Sequence, residues 1–317
     1  MTFSIVIPAY NGAKYLERTL LSVINQTRKP DEIIVHDDNS SDETRAICEK
    51  YDIEISYYLN EDGPSGFVNG WNRAIQFAIG DYISILHQDD IFYPTFLEEA
   101  EKALNQNPDI RHLFAVCDYI DEIDKVISSL NKHQLFNPKK LKNQKYSGKE
   151  YVAAYQQTYN EIPHIHRCPG VLTHRTIFEE GCNYSAAGHI ADDDFFYRVG
   201  QFTDVIGLLQ PLAAYRLHQE SETGSIGDIK LVQRLAMDYI YQLKQWEDSS
   251  FIDDLFFQKG AMKFMTRLFM YAYKSKNTLL KDYANVLYAD LKEMKLDRVG
   301  YKSKIKLEVV RIINNLG

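Results

Sequence analysis

The 317-residue chain has no apolar run approaching the roughly 18 residues of a membrane span. Its opening, MTFSIVIPAYNG, lacks the cationic flank of a secretory leader, and its apolar run is too short for one. A soluble or peripheral, cytoplasmic protein is therefore expected. Cysteine is scarce: Cys48, Cys117, Cys168 and Cys182 form no C-x-x-C pair, so reduced thiols are expected rather than bridges or zinc. A basic excess is also missing. With 36 Lys and Arg against 44 Asp and Glu, the formal charge is −8, which argues against a general nucleic-acid binder. A hydrophobic content of 45% excludes a disordered chain and suffices for one large domain, or a domain with an appendage.

What is present is a regular alternation in the front half. SIVIP reads as a short apolar strand closed by Pro8, and Leu16, Leu20, Val23 and Ile24 mark a helix within Ala13 to Gln26. EIIVH is a second strand, followed by a helix that Ser41 or Asp42 would cap and that runs to about Lys50. IEISYYL is a third. Phe67, Trp71, Ala74, Ile75 and Ala78 make a helical face expected to stop at Gly80, where a left-handed residue is cheapest for glycine. YISIL is a fourth strand, with a helix from Pro94 to about Asn105. Apolar strands alternating with amphipathic helices predict a mainly parallel sheet covered on both faces, with ligands bound beyond the carboxyl ends of the strands.

Two acidic pairs fall at such ends. Asp37 and Asp38 follow the second strand, and Asp89 and Asp90 follow the fourth. Each pair alone could cap a helix or sit in a solvated turn. Together they would crowd four carboxylates into one crevice, where they repel unless cations join them.

The second half is less regular. Residues 111–127 read as strand, turn, strand, and Asn131 to Ser147 as a polar, lysine-rich loop. A helix from Gly148 to about Tyr159 follows, then a return toward the core through HIHRCPGVLTHRTIFEE. His164 and His166 have ligand-like spacing without an evident third partner. Asp192, Asp193 and Asp194 open a helix carrying Phe195, Phe196 and Val199, a position where simple N-terminal capping accounts for acidic residues. PLAAYRLHQESETGS is a strand running into a loop, and helical periodicity dominates from Asp228 onward.

SIVIPAYNGAKYLERTLLSVINQT, DEIIVHDDNSSDET, GDYISILHQDD and DDDFFYRV together resemble the inverting family 2 glycosyltransferases of the GT-A fold, over roughly residues 2–220. The resemblance implies a Rossmann-like α/β domain over 1–225, with a nucleotide-binding part to about 110 and an acceptor-binding part from 111. Residues 226–317 are read from their helical periodicity as a C-terminal appendage outside it. It implies sugar transfer from a nucleotide-diphosphate donor, UDP-sugar favoured, to a hydroxyl of a glycan or lipid-linked acceptor. By the same resemblance the product belongs to bacterial surface polysaccharide or lipopolysaccharide.

The carried-over nucleotide-binding positions are Pro8, Ala9, Tyr10, Asp38, Asn72 and Asp89, with Tyr10 as a stacking surface and Asp38 facing an imide N–H. Trp71 stands where many members have arginine. Asp90 would hold Mn²⁺ or Mg²⁺. His218, in YRLHQES, is a further candidate metal ligand or a solvated loop histidine. His87 replaces the first aspartate of the usual LDSDD; it is either a ligand leaning toward Mn²⁺ or a histidine hydrogen-bonded at a strand end. Asp192 aligns with the family's base, six residues before Arg198, with Asp193 and Asp194 as fallbacks.

A sugar-nucleotide nucleotidyltransferase would need a Gly-rich phosphate loop after the first strand, which PAYNGAKY lacks. An inactive carbohydrate-binding scaffold is the other alternative, against which the retained aspartates speak. YKSKIKLEVVRIINNLG is a basic amphipathic segment that could lie on the inner face of the cell membrane or pack on the protein; Phe251 to Tyr273 could form a homodimer interface.

Overall fold

The computed structural model describes residues 1–52, 54–127, 144–152, 168–185 and 191–219. The C-terminal appendage, His164 and His166, and most of the lysine-rich stretch lie outside the described residues. So does the expected helix from Gly148 after its first turn: residues 148–152 are helical.

The front half follows the alternation. Strands β1 (Phe3–Ala9), β2 (Glu32–Asp37), β3 (Ser56–Leu59) and β4 (Tyr82–Ile85) pair in parallel in the order β3-β2-β1-β4. Helices α1 (Leu16–Ile24), α2 (Thr44–Glu49) and α3 (Phe67–Ile75) connect them. β1 is almost wholly buried because helices cover both of its faces; Phe3, Ile5 and Ile7 join the main core with Leu16, Leu20 and Val23 of α1. Each such side chain contributes about 1.5–3 kcal/mol when fully buried. β3, at the sheet edge, is only partly covered, so its pattern departs from the fully apolar strand expected there.

The order reverses at β1, and that reversal opens the crevice. β1 pairs with β4 only as far as Val6↔Ile85, while its pairing with β2 continues to Ala9↔Asp37. Pro8, with no N–H to donate, stands beyond the point where the β4 ladder stops. Chain segments leaving β1 and β4 therefore diverge at their carboxyl ends, the usual place for a ligand in such sheets.

The second half is mixed rather than parallel. After the short β5 (Ile91–Phe92) and α4 (Phe96–Asn105) come β6 (His112–Ile120), β7 (Gln144–Tyr146) and β8 (Val171–His174). Helices α5 (Arg175–Glu179) and α6 (Ala191–Val199) and the long β9 (Val205–Arg216) complete the described chain. β8 joins the two halves, antiparallel to both β4 and β6, and β9 runs parallel to β6.

Three readings are corrected. Residues 144–146, taken for part of a loop, pair with β9, because the exposed edge of that twelve-residue strand supplies ladder partners that a polar sequence can use. α3 ends at Ile75, not at Gly80: Gln76, Phe77 and Ala78 donate to residues three back, tightening the last turn. Gly80 answers a different need. A Cβ there would lie 2.5 Å from Ser4 Oγ and 2.9 Å from Ser4 N, and the Gly80 N–H donates to that hydroxyl. β5 was not expected; it pairs antiparallel with β9 at Ile91↔Ala214, just before Arg216. The four cysteines are free and buried, as their scarcity and spacing suggested.

Candidate active site at the carboxyl ends of β1 and β4

A cavity of about 660 Å³ opens at the reversal point, lined by the segment leaving β1 (Pro8 to Gly12), the turn after β4 (His87 to Asp89), α3, Asp192 and His218.

The wall after β1 is built by side chains from the turn after β2. Asn11 and Asn39 have positive φ, which asparagine tolerates better than most residues. Asn11 N–H donates to Ser40 Oγ, Gly12 N–H to Thr44 Oγ1 and Ala13 N–H to Asp42 Oδ2. Asp42, expected as a helix cap, stands one residue before the N-cap Glu43, whose own side chain makes no capping bond; Asp42 Oδ1 accepts from Thr44 N–H, while its second oxygen holds the neighbouring loop. Tyr10 projects from this wall with 48% of its surface exposed.

Asp37 and Asp38 part company. Asp37 is buried off the cavity and accepts from Tyr57 Oη at 2.6 Å and Ser40 N–H at 2.7 Å. Asp38 lines the cavity and accepts from Asn60 Nδ2, Ser65 N, Ser65 Oγ and Gly66 N, at 2.7, 2.7, 2.8 and 3.1 Å. Burial works against its charge, but the hydrogen bonds from Asn60, Ser65 and Gly66 outweigh that and hold its pKa below the ordinary carboxylate value. A carboxylate has about four acceptor positions, so Asp38 is occupied in holding the loop into α3. The expected crowding of four carboxylates does not arise, since Asp37 lies off the cavity and the charge of Asp38 is stabilised by its hydrogen bonds.

The turn after β4 is pinned from three sides. Gln88 brackets Tyr10: its Oε1 accepts from Tyr10 N–H at 2.8 Å and its Nε2 donates to Tyr10 O at 3.0 Å. Thr19 of α1 donates its hydroxyl to the carbonyls of Gln88 and Asp90. Arg216 of β9, 1% exposed, donates from its backbone N–H to Asp90 Oδ1 and from Nε to Asp89 O. Its Nη1 reaches Asp121 O, its Nη2 pairs with Asp124 at 2.6 Å, and its guanidinium lies over the Tyr15 ring. Two residues on, His218 Nε2 lies 2.8 Å from Asp89 Oδ2.

His87, Asp89 and Asp90 each offer a ligand atom, and these atoms lie within 4.8 Å of one another. Nε2 of His87 is buried with no hydrogen-bond partner among the described residues. Burial lowers the His87 pKa, only partly offset by the charges of Asp89 and Asp192, so the ring is held as a neutral donor. One imidazole nitrogen with carboxylate oxygens fits a divalent cation, and the nitrogen suits Mn²⁺ better than the strictly oxygen-seeking Mg²⁺.

At the far end Asp192, in the first turn of α6, lines the cavity; its Oδ1 accepts from the Asp193 N–H. Asp193 and Asp194 are buried, and Asp194 is bound by Arg198 Nε at 2.8 Å and Ser185 Oγ at 2.5 Å. Asn72 does not line the cavity. Its Nδ2 donates to Tyr184 O and its Oδ1 accepts from Tyr184 N–H, so it fastens α3 to the segment before α6. Trp71 beside it does line the cavity, stacked on His87. Gln88, Arg216 and Tyr15 escaped the sequence reading, because their contacts span from about 70 to about 200 residues and leave no periodic trace.

This sheet and crevice define the GT-A class of nucleotide-sugar enzymes. Residues 4–172 match the family model described as Glycosyl transferase family 2. The chain belongs to that family. It is 30% identical over 227 residues to an uncharacterized glycosyltransferase of Rickettsia typhi, covering 70% of this chain and 66% of that one. It is 32% identical over 117 residues to the Campylobacter jejuni GalNAc(5)-diNAcBac-PP-undecaprenol beta-1,3-glucosyltransferase, covering 36% of this chain and 37% of that one. Among solved structures, S. aureus TarS 1-349 in complex with UDP-GlcNAc superimposes with a TM-score of 0.59 at 15% identity, covering 100% of this chain and 92% of that chain. The fold is GT-A. No helix among the described residues is long and apolar enough to cross a membrane.

Proposed function

We propose that the protein transfers a hexose-type sugar from a UDP-sugar to a hydroxyl of a glycan or lipid-linked acceptor, with inversion at the anomeric carbon. One observation carries this reading: a single cavity joins an exposed ring beside Asp38, a cation-competent His87, Asp89 and Asp90 turn, and the carboxylate of Asp192. The nucleoside lies along Pro8, Ala9 and Tyr10, beside Asp38. The diphosphate lies toward Asp89 and His218. Asp90, with its backbone partner Arg216, holds the turn; His87, Asp89 and Asp90 would hold Mn²⁺ or Mg²⁺, with His218 behind Asp89. Bound there, such an ion supplies positive charge to a departing diphosphate.

The chemistry assigned to the chain itself is proton removal. Asp192 takes the proton of the acceptor hydroxyl as its oxygen bonds to the anomeric carbon; the bond from that carbon to the diphosphate oxygen breaks, and the diphosphate leaves with the electron pair. Attack opposite the leaving group gives inversion. Asp193 and Asp194 are weaker choices because both are buried and Asp194 is engaged by Arg198. The UDP-GlcNAc in TarS and the lipid-linked acceptor in the name of the Campylobacter relative support the donor and acceptor classes. Bacterial surface polysaccharide or lipopolysaccharide is the proposed destination.

Calorimetric titration with UDP, GDP and dTDP, each with Mn²⁺ and with EDTA, tests the reading. Binding of UDP that the ion strengthens, with that strengthening lost in Asp89→Ala, supports it. Failure of every nucleotide to bind would leave a scaffold as the better account.

A further inference from the structure

Trp71 is among the aromatic rings lining the cavity to which nucleoside, diphosphate and proton transfer give no role. Trp71 lies on α3, half-buried, with its ring held in a fixed plane: His87 stacks on it at 4.8 Å and 24°, Tyr184 meets it edge-on at 5.2 Å and 79°, and Phe67 tilts against it at 5.3 Å. The double hydrogen bond between Asn72 and Tyr184 fixes the backbone next to it. Its position along the cavity is also defined. The preceding residue, Gly70, has its Cβ direction 3.9 Å from Asp38, at the nucleoside end. Asp192 lines the same cavity, as does the His87 ring stacked on the indole. The indole therefore shares one cavity with the nucleoside wall and with the carboxylate proposed to act at the anomeric centre.

A ring in that place faces whatever bridges diphosphate and acceptor, which is the sugar. A hexopyranose carries hydroxyls around its rim and C–H bonds on its faces. Those C–H hydrogens are slightly positive, and the face of an indole is slightly negative, so the two stack with apolar area removed from water. Asp89 and Asp192, which line the same cavity, offer carboxylates that can accept from rim hydroxyls. We propose that Trp71 is the platform on which the pyranose ring of the donor stacks, and so a specificity-determining residue for the transferred sugar. This rests on the reading of the site as a nucleotide-sugar cavity.

The sequence allows a direct optical test, because Trp71 and Trp246 are the two tryptophans. In Trp246→Phe, Trp71 emission reports alone. Titration with UDP, UDP-glucose and UDP-N-acetylglucosamine in Mn²⁺ should show a sugar-dependent change in Trp71 emission beyond that caused by UDP. In Trp71→Ala, with an unaltered melting curve or circular dichroism, UDP affinity should stay within about twofold while at least one UDP-sugar loses about tenfold or more. Trp71→Phe, which keeps a smaller π face, should recover part of it. Equal emission changes with UDP and both UDP-sugars, or equal losses of UDP and UDP-sugar affinity in Trp71→Ala, would overturn the inference while leaving the nucleotide site intact. A response to a free methyl glycoside without nucleotide would assign the ring to the acceptor and also overturn it. Absence of any UDP binding would overturn both this inference and the proposed function.

Discussion

His218 Nε2 lies 2.8 Å from Asp89 Oδ2, while Arg216, two residues earlier at the end of β9, donates to the Asp89 carbonyl. The end of β9 and the residues just after it thus grip residue 89 by both its side chain and its backbone. The Tyr15 ring lies between the two grips, 4.7 Å from the His218 ring and 4.8 Å below the Arg216 guanidinium. Residues that orient a ligand carboxylate typically account for about 10–100-fold in metal affinity or activity. His218→Ala should therefore weaken Mn²⁺-dependent UDP binding by about that factor in calorimetry, with UDP binding in EDTA unchanged. Equal losses with and without the ion would remove His218 from the cation site.

Arg216 is a stability prediction. Its side chain donates to the Asp89 carbonyl and to the Asp121 carbonyl, which also accepts from Asp124 N–H, and a buried polar group left without its partner costs about 1–3 kcal/mol. Arg216→Met, similar in bulk but without donors, should lower the unfolding free energy by about 1–3 kcal/mol in urea on that basis. Asp124→Asn, which weakens the partly exposed pairs of Asp124 with Arg216 and Arg18, should cost under about 1 kcal/mol. A small loss in Arg216→Met would mean that the turn is held by Thr19 and the backbone bond to Asp90 instead.

Gln88 and Gly12 should behave as one unit. A Cβ at Gly12 would fall 2.2 Å from Gln88 Oε1, so Gly12→Ala must push the amide off its bracket with Tyr10. Gly12→Ala and Gln88→Ala are each expected to weaken UDP binding several-fold. The double variant should be no worse than the poorer single, a coupling of the size seen between contacting residues, about 0.5–3 kcal/mol. Additive losses would show that Gly12 serves some other contact.

Asp38 gives a pH dependence with a definite sign. Its folded pKa lies below the ordinary value, so the stability it adds is present above the unfolded pKa, about 3.9, and fades as pH falls through the lower folded pKa. Asp38→Asn cannot accept from all four donors and should be less stable than wild type at pH 7. The gap should close progressively below about pH 4 as the wild-type carboxyl is protonated. A gap constant from pH 7 to pH 3 would mean that the charge of Asp38 contributes nothing to holding the 60–66 loop.

Local pattern carried the front of the fold. Apolar runs such as SIVIP, EIIVH and YISIL, with helical spacing between them, marked β1, β2, β4 and α1, and so placed Asp38 and Asp89 at the ends of the two strands that flank β1. Ends of elements were less legible. Gly80 looked like a helix stop, yet its requirement comes from the nearby backbone of β1. β5 and β7 are too short for a period and exist because β9 offers them partners. Within the site, residue types at strand ends were visible but their pairings were not: Asp38 filled by Ser65 and Asn60, Gln88 bracketing Tyr10, and Arg216 reaching across 127 residues to Asp89 all depend on tertiary closure.

Asn72 separates binding from transfer. Both halves of its amide are bonded to the Tyr184 backbone at 2.8 and 3.0 Å, and the same segment continues through Ser185, which donates to Asp194 in the helix that begins beside Asp192. Asn72→Ala should therefore leave UDP affinity within about twofold while loosening Asp192 relative to the cavity. Misplacement of a reacting group by about 1 Å can cost on the order of 10²-fold in rate, so the expected signature is a kcat reduced by about 10–100-fold at near-constant UDP affinity. Ser185→Ala, which loosens the next link, should reproduce a smaller version of the same split. A loss of UDP affinity as large as the loss of kcat would instead return Asn72 to the nucleotide pocket, the position the sequence alone suggested.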